Sequence, residues 1–315
     1  MSPRNFLALG SVAALATGIG ARPVAAQAIC SAPHSSPTLG GGNSIGTLPA
    51  GTGWVMLSAL SLTTRSAFDS RGDRRALLAD GRFRVSSAYL SAGVGLAPGV
   101  DIWGQVPFHS MRYVDVGGER SRTGIGDARF ALRLSPDLVG LQAPIALRIG
   151  LKIPGSTFPV DATVIPLTEG QRDVETSLES GRTFSNSAYY VMGWVGYRWR
   201  GTNTAADRKP GDEVFVHTAV GTAIGGTRVE LGADVLRGRT PRQLGFGVPA
   251  AHREMFQLVP TVTRKIGVGD FEVTGVIPAV GRNLPTGPGV AIGYRIGWDR
   301  RRPQMPGPDG FGPPQ

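Results

Sequence analysis

The sequence predicts an all-β protein, a transmembrane antiparallel β-barrel of about twelve strands. Side chains alternate with a period of two over segments of about ten residues, the length that a tilted strand needs to cross a bilayer. The connections between these segments alternate between long and short, and the N-terminus has the pattern of an export signal. The segment Ile145–Ile153 alternates most clearly, because apolar side chains fill one face and small or basic ones, including Arg148 and Lys152, fill the other.

Composition excludes one class of protein and disfavours another. The chain has 315 residues, a net charge of +10 and 41% hydrophobic residues. No internal stretch approaches the roughly 18 consecutive apolar residues of a spanning helix, so a helical membrane protein is excluded. Many arginines have acidic neighbours on the same strand faces and an export signal precedes them, so we expect no nucleic-acid partner.

Residues 1–28 are predicted to form a signal peptide. Arg4 supplies the positive end, residues 6–19 form the apolar stretch, and Ala26-Gln27-Ala28 has the small-x-small form of a cleavage site. We expect cleavage after Ala28, with an earlier alanine as the alternative.

Cys30 is the only cysteine, so no disulfide can form within the chain. A lipoprotein would carry its lipid at this position. Lipid attachment needs a small residue before the cysteine, and Ile29 stands there instead. We therefore favour a thiol without a structural role.

The rest of the chain divides into three parts. Residues 29–52 are polar and rich in Gly and Ser, and are predicted to form a periplasmic lead-in. Residues 53–298 are predicted to form the barrel. Residues 299–315 are basic and rich in Pro and Gly, which is typical of a disordered tail.

Twelve segments alternate well enough to be predicted as strands. They are residues 54–62, 83–96, 100–113, 125–134, 145–153, 173–181, 188–200, 212–224, 227–236, 254–263, 271–280 and 290–298. Odd-numbered connections are mostly long and even-numbered ones mostly short. Because outer-membrane barrels have short periplasmic turns and longer external loops, this pattern places both termini in the periplasm.

The last predicted strand has the form of a barrel's terminal strand. Its apolar face carries Val290, Ile292, Tyr294, Ile296 and Trp298, and this pattern resembles the signal that the barrel-assembly machinery reads. Aromatic residues near other strand ends suit the two girdles at the membrane surfaces. These are Trp54, Phe108, Tyr113, Tyr189, Trp199, Phe256 and Phe271.

A soluble barrel or sandwich shows the same alternation, with its apolar face turned inward. Alternation alone therefore does not choose between the two. The export signal, the strand length, the loop asymmetry and the terminal strand together favour the bacterial outer membrane, with its lipid and the assembly machinery as partners.

Several short motifs carry a family resemblance. They are Leu48-Pro49-Ala50-Gly51, residues 96–108, Gly124-Ile125-Gly126-Asp127 and residues 287–298. Together they resemble the outer-membrane proteins of the meta-pathway phenol-degradation type, over about residues 45–298. The resemblance implies a porin-like transporter through which small, aromatic or other apolar molecules diffuse passively. It does not identify the solute, and the oligomeric state stays open.

If the apolar faces contact lipid, the opposite faces line the lumen. The candidate pore-lining residues are Arg84, Asp101, Arg129, Arg133, Arg148, Lys152, Glu175, Glu179, Arg198, Glu213, His217, Arg228, Glu230, Asp234, Glu272 and Arg295. Gln105 and Asp127 share these faces. Acids and bases roughly balance, so they could either tune the selectivity of a pore or fill a closed, structural barrel with ion pairs.

The chain shows no catalytic or metal-binding pattern. A lipid-modifying barrel enzyme, the third possibility, would need His and Ser on one strand face. His109 is followed directly by Ser110, so these two side chains point to opposite faces, and His217 has no serine two residues away. No His/Cys cluster has metal-ligand spacing, so we expect neither enzymatic activity nor a cofactor.

Overall fold

The computed structural model describes residues 46–161, 164–184 and 189–299. The predicted signal peptide, Cys30, most of the lead-in and the tail from residue 300 lie outside these ranges. Among the described residues, no helix has the length and apolar character needed to cross a bilayer.

Twelve antiparallel strands form the barrel wall. We number them β1 Thr52–Thr64, β2 Arg82–Ala97, β3 Val100–Asp115, β4 Gly118–Ile125 with Ala128–Leu134, β5 Ile145–Ile153, β6 Asp173–Thr183, β7 Tyr189–Arg200, β8 Glu213–Ile224, β9 Thr227–Gly238, β10 Glu254–Ile266, β11 Gly269–Arg282 and β12 Gly289–Asp299.

The barrel is closed because β1 pairs with both β2 and β12. Leu57, for example, lies opposite Leu90 on one side and Tyr294 on the other. Closure leaves no unpaired strand edge, which is the condition for a sheet to cross a bilayer. The prediction of a twelve-stranded antiparallel barrel is confirmed.

Strand β4 differs most from its predicted bounds. The polar run Gly118–Gly124 was expected to be loop, yet it pairs with the outer part of β3. The strand is interrupted at Gly126, whose backbone N–H donates to the carbonyl of Pro107 at 3.0 Å, and it resumes at Ala128. Period-two apolar patterning cannot reveal a strand segment that carries polar residues on both faces.

The outward face is apolar, as the sequence predicts. On β5 the side chains of Leu147, Ile149 and Leu151 are exposed, whereas Ala146 and Lys152 are buried inside the barrel. On β12 Ile292, Ile296 and Trp298 face outward and Ala291 is buried. The apolar side chains therefore form the surface that contacts lipid.

Three predicted orientations are wrong. Arg84 was placed in the lumen, but its buried neighbours Phe83 and Val85 take the inward positions of β2 and Arg84 is exposed outside. Trp54 was placed in an aromatic girdle, but its indole is buried inside, over Gly93, where a Cβ atom would lie only 2.8 Å from the ring. Tyr113 also faces inward, where it packs with Phe83.

The connection between β5 and β6 folds into the barrel. Ile165 and Leu167 from this loop are buried against Phe83, Val85 and Met111. The neighbouring residues Thr168, Glu169 and Gln171 are also buried. This inward loop narrows the lumen at the end of the barrel where the long connections lie.

Candidate functional site: the lumen and its inward loop

The interior of the barrel has two unlike sectors. Strands β4–β9 point charged side chains inward, and we call this sector the charged wall. Strands β1–β3 point mainly uncharged side chains inward, and we call this sector the apolar wall. The apolar wall contains the buried residues Met56, Leu60, Phe83, Val85, Tyr89 and Met111, together with the buried polar residues Ser58, Ser87, Ser91, Gln105 and His109.

Arg200, at the end of β7, is the centre of the charged wall. Its guanidinium contacts Glu169 (Nη2–Oε2, 2.5 Å), Asp173 (Nε–Oδ2, 2.9 Å) and Glu213 (Nη1–Oε1, 2.8 Å). Glu213 also pairs with Arg198 (Nη1–Oε2, 2.6 Å). These carboxylates come from a loop and two strands, so one planar cation ties three parts of the chain together.

Glu169 holds the inward loop to the wall. Its carboxylate contacts Lys152 Nζ at 2.5 Å and Arg253 Nη1 at 3.6 Å, in addition to Arg200. Its backbone N–H donates to Asp127 Oδ2 at 3.2 Å. The loop is therefore fixed by charge-assisted contacts, which a change of charge at one residue can weaken.

These cations also shift the pKa of Glu169. Burial alone would raise the pKa of this carboxyl group, but Arg200, Lys152 and Arg253 together hold it well below its ordinary range. The group is therefore ionised in the folded state at neutral and mildly acidic pH.

The lowered pKa predicts a pH dependence. A carboxylate whose pKa is depressed by folding stabilises the folded state above its unfolded pKa, about 4.3, and loses that contribution as the pH falls through the folded value. We expect the difference in unfolding free energy between wild type and Glu169→Gln to stay constant from about pH 7 to 5 and to shrink below about pH 4. Urea unfolding in lipid vesicles at stepped pH measures it, and a difference that shrinks above pH 5 would contradict the assignment.

A second ion cluster lies closer to the end of the barrel with short turns. Arg133 forms a bidentate pair with Asp101 at 2.8 and 2.6 Å, and its Nη1 lies 3.4 Å from Glu179 Oε2. Arg148 Nε contacts the other oxygen of Glu179 at 2.6 Å. The backbone N–H of Leu48 donates to Asp101 at 2.6 Å, so the end of the lead-in packs against this cluster.

A hydrogen-bonded chain runs along the wall from β8 to β10, and a β7 side chain stacks on its first member. His217 Nδ1 lies 2.6 Å from Asp234 Oδ1, and Gln257 Nε2 donates to Asp234 Oδ2 at 2.7 Å. The ring of Trp194 stacks on His217 with centroids 4.0 Å apart. The carboxylate orients the imidazole, and the two rings form a rigid, half-polar surface inside the barrel.

A further group lies near the ends of β9, β11 and β12. The hydroxyl of Tyr190 donates to Glu230 Oε2 at 2.7 Å, and Arg295 Nη2 lies 2.8 Å from Asp270 Oδ2. Glu272 is buried beside Thr263. Polar side chains thus line the interior at both ends of the barrel.

The structure places the remaining candidate residues as follows. Arg129 lies on the inward face of β4, in register with Lys152 and Gln105. Arg198 and Glu175 pair at 3.1 Å. Arg228 is half-buried near the start of β9, beside the short turn that joins β8 and β9. Arg84 alone among the sixteen candidates points outward.

Sequence reasoning missed four charged residues that belong to the ion pairs of the interior. Arg200 and Asp173 stand two residues from Arg198 and Glu175, so the period of two could have identified them. Glu169 and Arg253 lie in loops, where no periodicity indicates a direction. It also missed the pair between Ser87 Oγ and His109 Nδ1, 2.7 Å apart, because these residues lie on different strands.

No group of three metal-ligating side chains occurs within the described ranges. Ser87 and His109 are buried, and the T-shaped contact between the rings of Tyr89 and His109 packs them into the apolar wall. Among the described residues, no carboxylate accepts a hydrogen bond from His109. The Ser87–His109 pair therefore lacks the orienting group of a catalytic triad.

Comparison with known proteins identifies the fold. No protein-family model and no curated protein matches the chain. An outer-membrane channel from Pseudomonas putida F1 superimposes with a TM-score of 0.67 at 16% identity, covering 82% of this chain and 99% of that one. The β-domain of the Bordetella autotransporter BrkA gives 0.46 at 14% identity over 78% and 99%, and the monoaromatic hydrocarbon channel CymD gives 0.41 at 9% over 80% and 90%. The first likeness shows that this chain shares the fold of an outer-membrane channel, and the apolar exterior is the one that a membrane-embedded β-barrel requires.

Proposed function

We propose that the chain is an outer-membrane channel through which small, apolar or aromatic molecules diffuse passively. The observation that carries this proposal is the apolar wall, with Leu60, Tyr89 and Met111 buried inside the barrel opposite the charged wall. A lumen with one charged side and one side that combines apolar and uncharged polar groups suits solutes that have an apolar body and a polar group. The fold shared with an outer-membrane channel and the resemblance to the phenol-degradation type support the same function.

Passage requires the inward loop to move or to leave a narrow path beside it. The loop contacts the apolar wall through Ile165 and Leu167 and the charged wall through Glu169. It therefore lies across both sides of the lumen. We infer that it restricts the pore to small molecules, and that the long connections lie outside the cell with both termini in the periplasm.

A closed, structural barrel is the second candidate function. The ion pairs that join Arg200 and Lys152 to the loop favour it, because they fill the lumen with fixed charge. Single-channel conductance in planar bilayers and uptake of small aromatic solutes into liposomes separate the two. Heat-modifiable gel mobility first shows that the barrel is folded. If folded protein gives neither conductance nor uptake, the channel proposal is overturned. Hydrolysis of lipid by the same preparation would point to an enzyme instead.

Glu169→Gln should raise the single-channel conductance several-fold. The substitution keeps the shape of the side chain but removes the charge that Lys152, Arg200 and Arg253 hold, so the loop should spend more time away from the wall. Asp73→Asn is the matched control, because it neutralises an exposed carboxylate that pairs with Arg75 in an outer loop. Equal conductance for wild type and both variants would show that the loop does not limit the pore.

A further inference from the structure

A cluster of arginines lies on the outside of the barrel, away from the lumen. Arg84 of β2 and Arg112 of β3 are directly opposite each other in the strand register. Arg82 is two residues from Arg84 along β2 and therefore lies on the same face. All three side chains are exposed on the outward face. Like charges directly opposite on neighbouring strands destabilise a sheet, so this arrangement needs compensation.

The protein itself supplies little of that compensation. Arg112 pairs with Glu119, and both side chains are about half exposed. Within the ranges that the structure describes, Arg82 and Arg84 form no ion pair or hydrogen bond through their side chains. The cluster therefore keeps two uncompensated positive charges on a surface that faces the membrane or its headgroups.

The outward side chains change in polarity row by row from the middle of the strands to the arginines. Each row consists of residues that are register partners across β1 to β4. The first row is apolar and contains Ala59, Ala88, Phe108 and Ile125. The next row carries hydroxyls, on Ser61, Ser86, Ser110 and Thr123. The row after that contains Thr63, Arg84, Arg112 and Ser121. This sequence of apolar, hydroxyl and cationic rows matches a phosphorylated sugar lipid from its acyl chains to its phosphate.

The height of the cluster fits the headgroup layer. Ala92 is the centre of the outward apolar run of β2, and Arg84 lies eight residues from it. At about 3.3 Å per residue and a tilt of about 40°, Arg84 is about 20 Å from Ala92 along the barrel axis. Half of a bilayer with its headgroups is about 20–22 Å thick. The guanidinium groups therefore lie where lipid phosphates lie.

We propose that Arg82, Arg84 and Arg112 form a binding site for the phosphate groups of lipid A, the lipid anchor of the outer leaflet. The guanidinium groups pair with its phosphates, the hydroxyl row contacts its sugars, and the small side chains of Ala59 and Ala88 leave room for an acyl chain. Guanidinium forks match phosphate oxygens, and bound phosphate removes the repulsion between Arg84 and Arg112. This site is separate from the proposed channel, because none of its side chains enters the lumen.

The test measures lipid A binding to the full chain in a neutral detergent, by native mass spectrometry or by the shift in thermal unfolding. Wild type should bind diphosphorylated lipid A at least tenfold more tightly than the same lipid without phosphates. Arg82→Ser with Arg84→Ser should lose that preference. Arg264→Ser is the matched control. Arg264 is also an exposed outward arginine, but it lies beside the short turns, at the other end of the barrel from Arg82 and Arg84. It should bind as wild type does.

Three results would overturn the proposal. Equal binding of both forms of lipid A by wild type would show that phosphate is not recognised, and this comparison needs no variant. Full competition by millimolar inorganic phosphate would indicate a simple anion site. Equally tight binding of phosphatidylglycerol would indicate a general lipid-phosphate site rather than one for lipid A. Conductance of the double variant should equal that of wild type, so failure of this site and failure of the channel are distinguishable.

Discussion

Arg200→Met should lower the free energy of unfolding by about 3–5 kcal/mol. The methionine fills a similar volume but leaves Glu169, Asp173 and Glu213 without the cation that all three contact. Removing one partner of a buried ion pair has a cost of this size, because the remaining charges stay in a poorly solvated interior. Equilibrium unfolding in urea, with the barrel refolded into lipid vesicles, measures the change.

Arg75→Met is the control for Arg200→Met. Arg75 also contacts two carboxylates, those of Asp69 and Asp73, but its side chain is 61% exposed in a long loop. Exposed pairs contribute about 0–1 kcal/mol, so this variant should unfold almost as wild type does. Similar costs for the two variants would mean that water reaches Arg200 freely and that the charged wall lines a wide aqueous pore.

The fold could be predicted from the sequence because its rule is repeated in every strand. In a barrel each strand must present an apolar face to lipid, and this requirement gives the strand sequence a period of two. Strand segments outside the membrane do not need an apolar face. The first half of β4, Gly118–Ile125, is one such segment, since polar residues stand on both of its faces. Arg84 was assigned to the wrong face because the polarity reverses at that end of β2, where apolar Phe83 and Val85 point inward and the arginine points outward.

The candidate site was predictable only where it belongs to the strands. Arg133, Arg148 and Glu179 were assigned to the interior from their strand positions, and they lie together there. The contacts of Glu169 depend on how a long loop folds back into the barrel, and no local pattern encodes that path. Apolar residues such as Phe83 on the inward face also could not be recognised, because the pattern equates apolar with lipid-facing.

Ile149→Arg should lower the free energy of unfolding by about 2–4 kcal/mol, the cost of an arginine on the lipid face near the middle of the membrane. Ile149 is at the centre of β5 and is 41% exposed on the outward face, where hydrocarbon offers no partner to a charge. Val116→Arg is the control, because Val116 is 82% exposed in the turn between β3 and β4, at the end of the barrel with the long connections, and should tolerate the charge. Urea unfolding in vesicles compares the two, and equal costs would place Ile149 outside the membrane.

Stability alone does not distinguish a membrane barrel from a soluble one, because a soluble core would also reject an arginine at position 149. The neighbouring residue resolves this ambiguity. Arg148 points into the barrel, where it pairs with Glu179, and only 15% of its side chain is exposed. A cysteine at position 149 should therefore react with a lipid-dissolved probe, and a cysteine at position 148 only with small aqueous reagents that enter the lumen. Rapid labelling of position 148 by a bulky aqueous reagent in intact membranes would reverse the two faces and contradict the membrane barrel.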